Sequence, residues 1–556
     1  MKCVTVTLDE LISKIRSDHD ERQHNKIDEG FSISMFTTSA REEQSTTDIN
    51  GHFIYSQLLI NSLVRMESNL SDEAEFICLC KKQYEGNAKE IKILEEFEET
   101  YSPSRAIWWY TRQSFLYRLL NKALRAQNID LLYLFRFFIR DIKQQLEDNK
   151  CTSPVRVYRG QMISTKELEV LNNNVGEFIS INSFFSTSLN RELALSFIAN
   201  ANILDESEHV LFEIEADPQL ENISPFTDIT SLSYFPGEEE ILFMIGSIFQ
   251  LIRVHRDKDG ISIIRMKLTS SNDLQLNALL EHLKNEHNRQ ENTLLLFCEI
   301  LLKMGKFHEA EMHCHRSLKA LSSDRQGIAQ CYHLLGLIAM QKDELDSSLV
   351  WLEKSLEMKL QTLKAGDSEI ADDYHNIGKV HRKKGECDQA ITMFEKALVI
   401  WRKTLGNNTL KLATSYSDIG NAYQSKGNFV KALEHHEEAV KINEKHLPKY
   451  HQHLGSSHIN IATAQRCLGN YDLALQHANI ALKIFQKSLP SEHQKIGWVL
   501  ENIGLVYEKQ DELEKSLSFL NKAANTYRQT LPITHYYIID VERNIQRVSS
   551  QLYTNS

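Results

Sequence analysis

The C-terminal half of this 556-residue chain repeats itself every 42 residues. The clearest marker is a small residue that recurs at this interval, at Gly336, Gly378, Gly420, Ala462 and Gly504. A bulky residue lies four positions before each marker, and further small residues lie 12 and 19 positions after it. Such self-similarity is typical of arrays in which each unit buries its apolar face against its neighbours. The interval therefore predicts stacked helix pairs rather than one large globular core.

The same columns predict where the helices of each unit pack and end. Antiparallel helices approach closely only where small side chains face each other, and bulky side chains then fill the groove between pairs. Turn residues are expected between the two helices of a unit at Asp343, Gly385, Gly427, Gly469 and Asp511. Since proline cannot continue a helix, the second helix of a unit is expected to end at Gly406, Pro448, Pro490 and Pro532.

These columns resemble tetratricopeptide repeats (TPRs), in the 42-residue form typical of kinesin light chains. The resemblance implies an all-α TPR solenoid of about six repeats over 280–550, with a capping helix around Tyr537–Val548. It also implies a protein or peptide ligand on the concave face. Histidines in this half, at Met312–His315 and His435–His436, are interpreted as exposed helix residues, because no further cysteine or histidine cluster completes a metal site.

The preceding part of the chain follows a different pattern. Apolar residues recur at three- and four-residue steps over 106–146, which predicts helix. Short runs rich in β-branched and aromatic residues then predict strands at Val155–Tyr158, Glu177–Ser186, Val210–Ile214, Glu240–Ile245, Ile248–Arg253 and Ile261–Lys267. This order predicts an α+β domain over 86–270 with a mostly antiparallel strand region. The function of residues 1–85 is left open.

Three short segments of this domain carry side chains that could perform chemistry. Arg159 and Gly160 lie in VYRGQ, Ser186 begins STS at the end of a predicted strand, and Glu238 and Glu240 lie on one face where a turn enters a strand. Two neighbouring carboxylates are costly unless a positive group, such as a guanidinium or a developing carbocation, lies between them. Taken singly, the segments also fit a surface ion pair, a hydroxyl-rich turn and solvated charge.

The order and spacing of the three segments resemble a known signature. Arg159 is followed 27 residues later by Ser186 of FFSTS, and Glu240 lies 54 residues beyond that serine. This order is similar to the arginine-serine-glutamate motif of arginine-specific mono-ADP-ribosyltransferases. WYTRQSFLYRLLNKALR resembles the helix before the arginine strand, and STSLNRELALSF the segment after the serine motif. The resemblance implies a glycosyltransferase that moves ADP-ribose from NAD or NADP to arginine side chains of a target protein. The chain also resembles proteins of bdelloid rotifers and other invertebrates that join such a domain to TPRs.

The resemblance implies catalytic roles for three of these residues. Glu240 would stabilise the oxocarbenium-like charge that develops on the ribose when the nicotinamide bond breaks. Ser186 would donate a hydrogen bond to Glu240 and fix its orientation. Glu238 would receive the acceptor guanidinium and help to deprotonate it. An acidic residue at this position is what implies arginine as the target.

Other residues are expected to bind the dinucleotide. Arg159 would clamp the pyrophosphate, because its planar fork suits phosphate oxygens. The backbone of Gly160 would receive the nicotinamide amide, since a missing Cβ permits close approach. Phe197 and Tyr234 are candidates for stacking near the nicotinamide or the acceptor, and simple packing roles are at least as compatible with the sequence.

Charge and cysteine content predict which partners and which cellular compartment the protein has. A net charge of −12 without a long basic run argues against nucleic-acid and membrane-surface partners. The first residues lack the apolar core of a signal peptide, and nine dilute cysteines fit a reduced, cytoplasmic protein. No metal is expected. Two alternatives remain open, namely an NAD glycohydrolase and a non-catalytic TPR scaffold with an inactive transferase domain.

Overall fold

The computed structural model divides the chain into two compact units, one mainly of residues 47–317 and the other mainly of residues 318–556. It describes residues 33–36, 46–66, 70–112, 114–199, 207–235, 239–269, 293–321, 324–406, 409–489 and 491–555. Among these residues, no helix is both long and apolar enough to span a membrane.

Helices form the early part of the first unit. They are α1 Thr46–Arg65, α2 Leu70–Gln83, α3 Ala88–Thr100, α4 Ala106–Thr111, α5 Phe115–Arg125 and α6 Ile129–Asp148. The helical stretch expected over 106–146 is therefore three helices. The first break, between α4 and α5, contains Ser114, whose backbone is extended. The second, between α5 and α6, contains Gln127, whose φ is 46°. Asn128 then starts α6 by accepting a hydrogen bond from Leu131 N, as short polar side chains commonly do at helix starts.

Nine described strands form one sheet in the first unit. They are β1 Ile33–Phe36, β2 Val155–Ser164, β3 Phe178–Ile181, β4 Phe185–Ser188, β5 Ser207–Ala216, β6 Phe226–Asp228, β7 Glu240–Phe243, β8 Ser247–Arg256 and β9 Ser262–Leu268. Two helices, α7 Thr165–Asn173 and α8 Arg191–Ala199, follow β2 and β4. The strand order is β1-β3-β8-β9-β5-β2-β4-β7-β6. The pairs are antiparallel except for β5 with β9, so the mostly antiparallel strand region is confirmed.

The single strand expected over Glu177–Ser186 is wrong, because it is two strands in separate places. β3 lies between β1 and β8, whereas β4 lies between β2 and β7. The chain leaves β3 at Asn182, whose amide donates to Ser34 Oγ at 2.7 Å and whose oxygen accepts from Ser180 Oγ at 3.2 Å. Such side-chain bonds compete with the strand ladder. The break carries Ser186 into the middle of the β2–β4–β7 segment.

Two further helices of the repeat register begin within the first unit. α9 Thr293–Lys303 is followed by α10 Phe307–Ala320, and His313 of α10 is fully buried. Its ring packs against Tyr133 of α6 and Phe297 of α9, with centroids 4.6 and 5.0 Å apart. The expectation that such histidines are exposed is wrong here, because the helical period turns His313 toward this aromatic contact.

The second unit consists of helix pairs. Its helices are α11 Arg325–Gln341, α12 Leu345–Thr362, α13 Ser368–Lys383, α14 Cys387–Leu405, α15 Leu410–Ser425, α16 Phe429–His446, α17 Gln452–Cys467, α18 Tyr471–Ser488, α19 Gln494–Lys509, α20 Leu513–Thr530 and α21 Tyr536–Asn555. Together with α9 and α10 the described residues hold six pairs, and α21 covers the expected capping helix.

The predicted turns and helix ends agree with the structure. Positive φ angles of 61° to 85° occur at all five turn positions, including the two aspartates. Pro448 and Pro532 each lie two residues after the end of a helix, and Gly406 directly follows α14. Pro490 lies outside the described residues.

The repeated glycine is explained by contact with a bulky side chain 16 positions later. A Cβ on the glycine would lie 2.5–2.9 Å from that side chain in four pairs, Gly336 with Leu352, Gly378 with Phe394, Gly420 with His436 and Gly504 with Leu520. In the remaining unit Ala462 takes the glycine position and Ala478 the bulky one. The two positions therefore change size together, which keeps the helices of each pair at close distance.

A Cβ at the glycine position is expected to destabilise the array. Gly378→Ala would place a methyl group 2.7 Å from the Phe394 ring and should lower the free energy of unfolding by about 1–3 kcal/mol. Gly366→Ala is the matched control, because nothing lies within 4 Å of its Cβ position. Denaturant unfolding of the two variants measures the difference, and equal stability would contradict this packing account.

The expectation of exposure is also wrong for His436, which is fully buried and whose ring nitrogens have no hydrogen-bond partner among the described residues. Acid sensitivity of the array is expected to depend on this residue. Burial, with a smaller effect of His435, lowers the pKa of His436 to about 4. The unfolded chain, with a histidine pKa of about 6.5, binds this proton first. The stability contribution is complete above about pH 6.5 and declines as the pH falls toward 4.

His436→Phe tests this expectation with the residue that the preceding repeat carries at Phe394. Between pH 7 and pH 5 the variant should lose about 2 kcal/mol less free energy of unfolding than the wild type. Denaturant unfolding at the two pH values provides the comparison. A loss of equal size in both proteins would show that His436 does not titrate in this way.

Candidate active site

β4 brings the three sequence motifs onto neighbouring strands. It pairs with β2 through Tyr158 and Ser188, and with β7 through Ser188 and Glu240. Ser186 lies opposite Leu242 in the same ladder. Segments that are far apart in the sequence therefore meet across three adjacent strands.

The two faces of β4 and β7 have different roles. Phe185 and Phe243 belong to the buried apolar cluster of the sheet, and Thr187 on that face donates to Ile241 O at 2.9 Å. By strand alternation, the side chains of Ser186 and Glu240 extend from the opposite face. The residue directly across from Glu240 is Ser188, while Ser186 occupies the diagonal position about 7–8 Å away between Cα atoms.

Arg159 of β2 is hydrogen-bonded to the serine strand. Its Nη1 donates to the backbone oxygen of Ser186 at 2.8 Å, and its Nε donates to Gln161 Oε1 at 3.0 Å. The guanidinium carbon lies 5.1 Å from the centre of the Phe185 ring. These contacts orient a planar cation beside the serine motif. The structure thus places the Arg159 guanidinium against the backbone of Ser186 and the ring of Phe185, while its proposed contact with a bound pyrophosphate stays a prediction.

Gly160 permits α8 to pack closely on β2. A Cβ at this position would lie 2.1 Å from the carbonyl oxygen of Ala194 in α8. The close approach expected for a bound nicotinamide is therefore made, on the Cβ side, by α8 of the protein itself. Phe197 of the same helix is 64% exposed, so its ring is accessible to a ligand.

Backbone hydrogen bonds hold Glu239 and Glu240 at the start of β7. Ile229 N donates to Glu240 O at 2.9 Å, and Leu189 N donates to Glu239 O at 3.2 Å. Glu240 is half-buried and Glu239 is exposed. Glu238 lies outside the described residues, so its acceptor role stays a prediction.

Tyr110 lies close to these charges although it carries no motif of its own. Burial is the main cause that raises its pKa well above the usual value, and the charge of Glu240 raises it further while that of Arg159 lowers it. Its hydroxyl donates to Asn121 Oδ1 at 3.4 Å. The phenol therefore stays protonated within the electrostatic range of both motif residues. The available signal was its position in WYTRQSFLYRLLN, which resembles the transferase helix.

Both the sheet-containing part and the helical repeats of the chain match known protein families. Residues 81–280 match the ADP-ribosyltransferase exoenzyme family, residues 369–445 and 454–529 match one tetratricopeptide repeat family, and residues 329–362 match another. The chain carries an ADP-ribosyltransferase domain followed by tetratricopeptide repeats. The expected fold class, an α+β transferase domain followed by an all-α TPR solenoid, is thereby confirmed. NAD is the substrate of this transferase family.

Solved structures with similarity to the chain include both kinds of protein. The ADP-ribosyltransferase Vis in complex with an inhibitor is 19% identical, with 39% of this chain and 92% of Vis covered and a TM-score of 0.26. Kinesin light chain TPR-like repeats from Podosopora anserina are 20% identical, with 37% and 98% covered and a TM-score of 0.33. BtubC (BKLC) from P. vanneervenii is 17% identical, with 39% and 83% covered and a TM-score of 0.33. A search of curated proteins found no match.

The contact between β2 and α8 can be tested in the transferase domain. Gly160→Ala should lower the free energy of unfolding by about 1–3 kcal/mol, because the obstructing atom at 2.1 Å is backbone and no side-chain rotation relieves it. Denaturant unfolding of the variant and of the wild type measures this loss. Unchanged stability would contradict the close approach of α8 to β2.

Proposed function

We propose that this protein transfers ADP-ribose from NAD or NADP to arginine side chains of a target protein, with release of nicotinamide. The observation that carries the proposal is the meeting of Arg159, Ser186 and Glu240 on three adjacent strands. A separate position for any of them would leave the ordered motif without a common site. The family match supports the transferase chemistry, and the arginine target rests on the glutamate pair.

Glu240 is assigned the main catalytic task. Cleavage of the nicotinamide–ribose bond develops positive charge on the ribose carbon, and a fixed carboxylate stabilises that charge more than it stabilises the neutral ribose. Glu240 is suited to this task because the β4–β7 ladder holds its backbone. Ser186 is proposed to orient the carboxylate, and Ser188, directly opposite on β4, offers a second hydroxyl for the same purpose.

The dinucleotide is proposed to bind along β2. Arg159 would contact the pyrophosphate, since its contacts with Ser186 O and Phe185 already set the plane of the guanidinium. The backbone of Gly160 is assigned to the nicotinamide amide, and the exposed ring of Phe197 is available for stacking. A metal is not part of this mechanism, because the arginine and backbone groups supply the contacts.

The acceptor is proposed to approach from the segment that precedes β7. Glu238 would bind the incoming guanidinium and accept its proton as the new bond to the ribose forms. The TPR array would bind a protein or peptide on its concave face, either the substrate itself or a partner that delivers it. Free thiols at the described cysteines fit a reducing compartment such as the cytoplasm.

Variants of the two glutamates test the assignment of Glu240 to NAD cleavage and of Glu238 to transfer onto the acceptor. Purified full-length protein is incubated with labelled NAD and an arginine analogue, as wild type, Glu240→Gln and Glu238→Gln. Glu240→Gln should lower both NAD cleavage and transfer by about 100-fold or more, because both need the same charge stabilisation. Glu238→Gln should lose transfer while it retains NAD hydrolysis.

Glu239→Gln is the matched control, because this exposed neighbour points to the other side by strand alternation. It should keep both activities near the wild-type values. Wild-type protein that leaves NAD intact would instead support the non-catalytic scaffold. NAD consumption with an untouched analogue would support a glycohydrolase and remove the arginine assignment.

A further inference from the structure

Gln161 holds the guanidinium of Arg159 from within the same strand. The two side chains leave β2 on the same face, because successive residues of a strand alternate. Arg159 Nε donates to Gln161 Oε1 at 3.0 Å, and Arg159 Nη1 donates to the backbone oxygen of Ser186 at 2.8 Å. The guanidinium is therefore fixed at two nitrogens, by β2 itself and by the neighbouring β4.

The surroundings of this pair are apolar. Phe212 lies opposite Arg159 in the β2–β5 ladder and is fully buried. Val210 lies opposite Gln161 and is fully buried as well. The ring of Phe185 has its centre 5.1 Å from the guanidinium carbon. A charged donor next to apolar groups is destabilised when its acceptor is removed, so the Gln161 oxygen is expected to decide how the guanidinium is turned.

The two bonds leave the other N–H groups of Arg159 for a ligand. A guanidinium carries five N–H groups in one plane, and the bonds to Gln161 and Ser186 use two of them. Among the described residues Arg159 makes no further hydrogen bond and no ion pair, so both N–H groups of Nη2 are available. Such a planar group binds two phosphate oxygens at once only when its plane is turned toward them.

We propose that Gln161 is a positioning residue for dinucleotide binding, because it turns Arg159 so that the remaining N–H groups face the pyrophosphate. The inference rests on the proposed transferase function and assigns a second side chain to the affinity for the phosphate part of NAD. The pyrophosphate does not change when the nicotinamide bond breaks. Loss of Gln161 should therefore raise the KM for NAD and leave kcat nearly unchanged.

ADP-ribose is the probe for this role, since it keeps the pyrophosphate of NAD and lacks the nicotinamide. Gln161→Met keeps the length of the side chain and removes the acceptor. In the full-length protein it should raise the dissociation constant of ADP-ribose and the KM for NAD about ten-fold. Its kcat for NAD cleavage should stay within about three-fold of the wild-type value. Gln161→Ala should show the same pattern.

Nicotinamide is the second probe, because it does not reach the pyrophosphate. Its inhibition constant against NAD cleavage should be the same in Gln161→Met and in the wild type. A merely structural role of Gln161 would instead distort the site as a whole and weaken both probes in parallel. That result overturns the inference.

Glu215→Met is the matched control. It removes the acceptor of another arginine of β2, since Arg156 Nη2 donates to Glu215 Oε1 at 2.5 Å, and both side chains are more than half exposed. Arg156 and Glu215 have no part in the proposed site, so the control should keep the wild-type constants for ADP-ribose and NAD. An equal rise in the control would contradict the positioning role.

The outcomes also separate this inference from the proposed function. Wild-type protein that cleaves NAD and binds ADP-ribose, together with an unchanged dissociation constant in Gln161→Met, contradicts the positioning role alone. Wild-type protein that neither cleaves NAD nor binds ADP-ribose contradicts the proposed function and the positioning role together.

Discussion

The position of β4 between β2 and β7 is the constraint on which the candidate site depends. Within β4, Ser188 pairs with Tyr158 of β2 on one side and with Glu240 of β7 on the other, so this one residue neighbours both motif strands. The chain leaves β3 after Ile181, and the next residue, Asn182, is hydrogen-bonded through its side chain to Ser34 and Ser180. Without that break the serine motif would continue along β3, beside β1 and β8, and would lie away from Arg159 and Glu240.

The repeats depend on a second packing constraint, which is the pairing of a glycine with a bulky residue 16 positions later. The pairs differ in chemistry, from Leu352 and Phe394 to His436, but they share the same close contact. Ala462 with Ala478 shows that the total size is what the helix pair requires. His436 fills the same space as Leu352 or Phe394, but its ring can bind a proton. The side chain at this repeat position can therefore satisfy the packing and still make the stability of the array depend on pH.

Periodic features of the chain were predictable from sequence, and local interruptions were less so. The 42-residue columns predicted the turns at Asp343 and Asp511 because only a few residues accept positive φ. The split of the expected strand at Asn182 and the burial of His313 depend on distant partners, Ser34 and Tyr133, that no local pattern reveals. The order of the motifs resembled that of one known site, whereas the contact of Arg159 with the Ser186 backbone and the proximity of Tyr110 to both motif charges required the fold.

The most direct test of the account is to locate the modification on the acceptor. A protein substrate is incubated with NAD and the full-length chain, and tandem mass spectrometry then assigns the modified side chains. The account predicts ADP-ribose on arginine, because the glutamate pair is suited to a guanidinium acceptor. Modification of another residue type, or cleavage of NAD without any adduct, would contradict it.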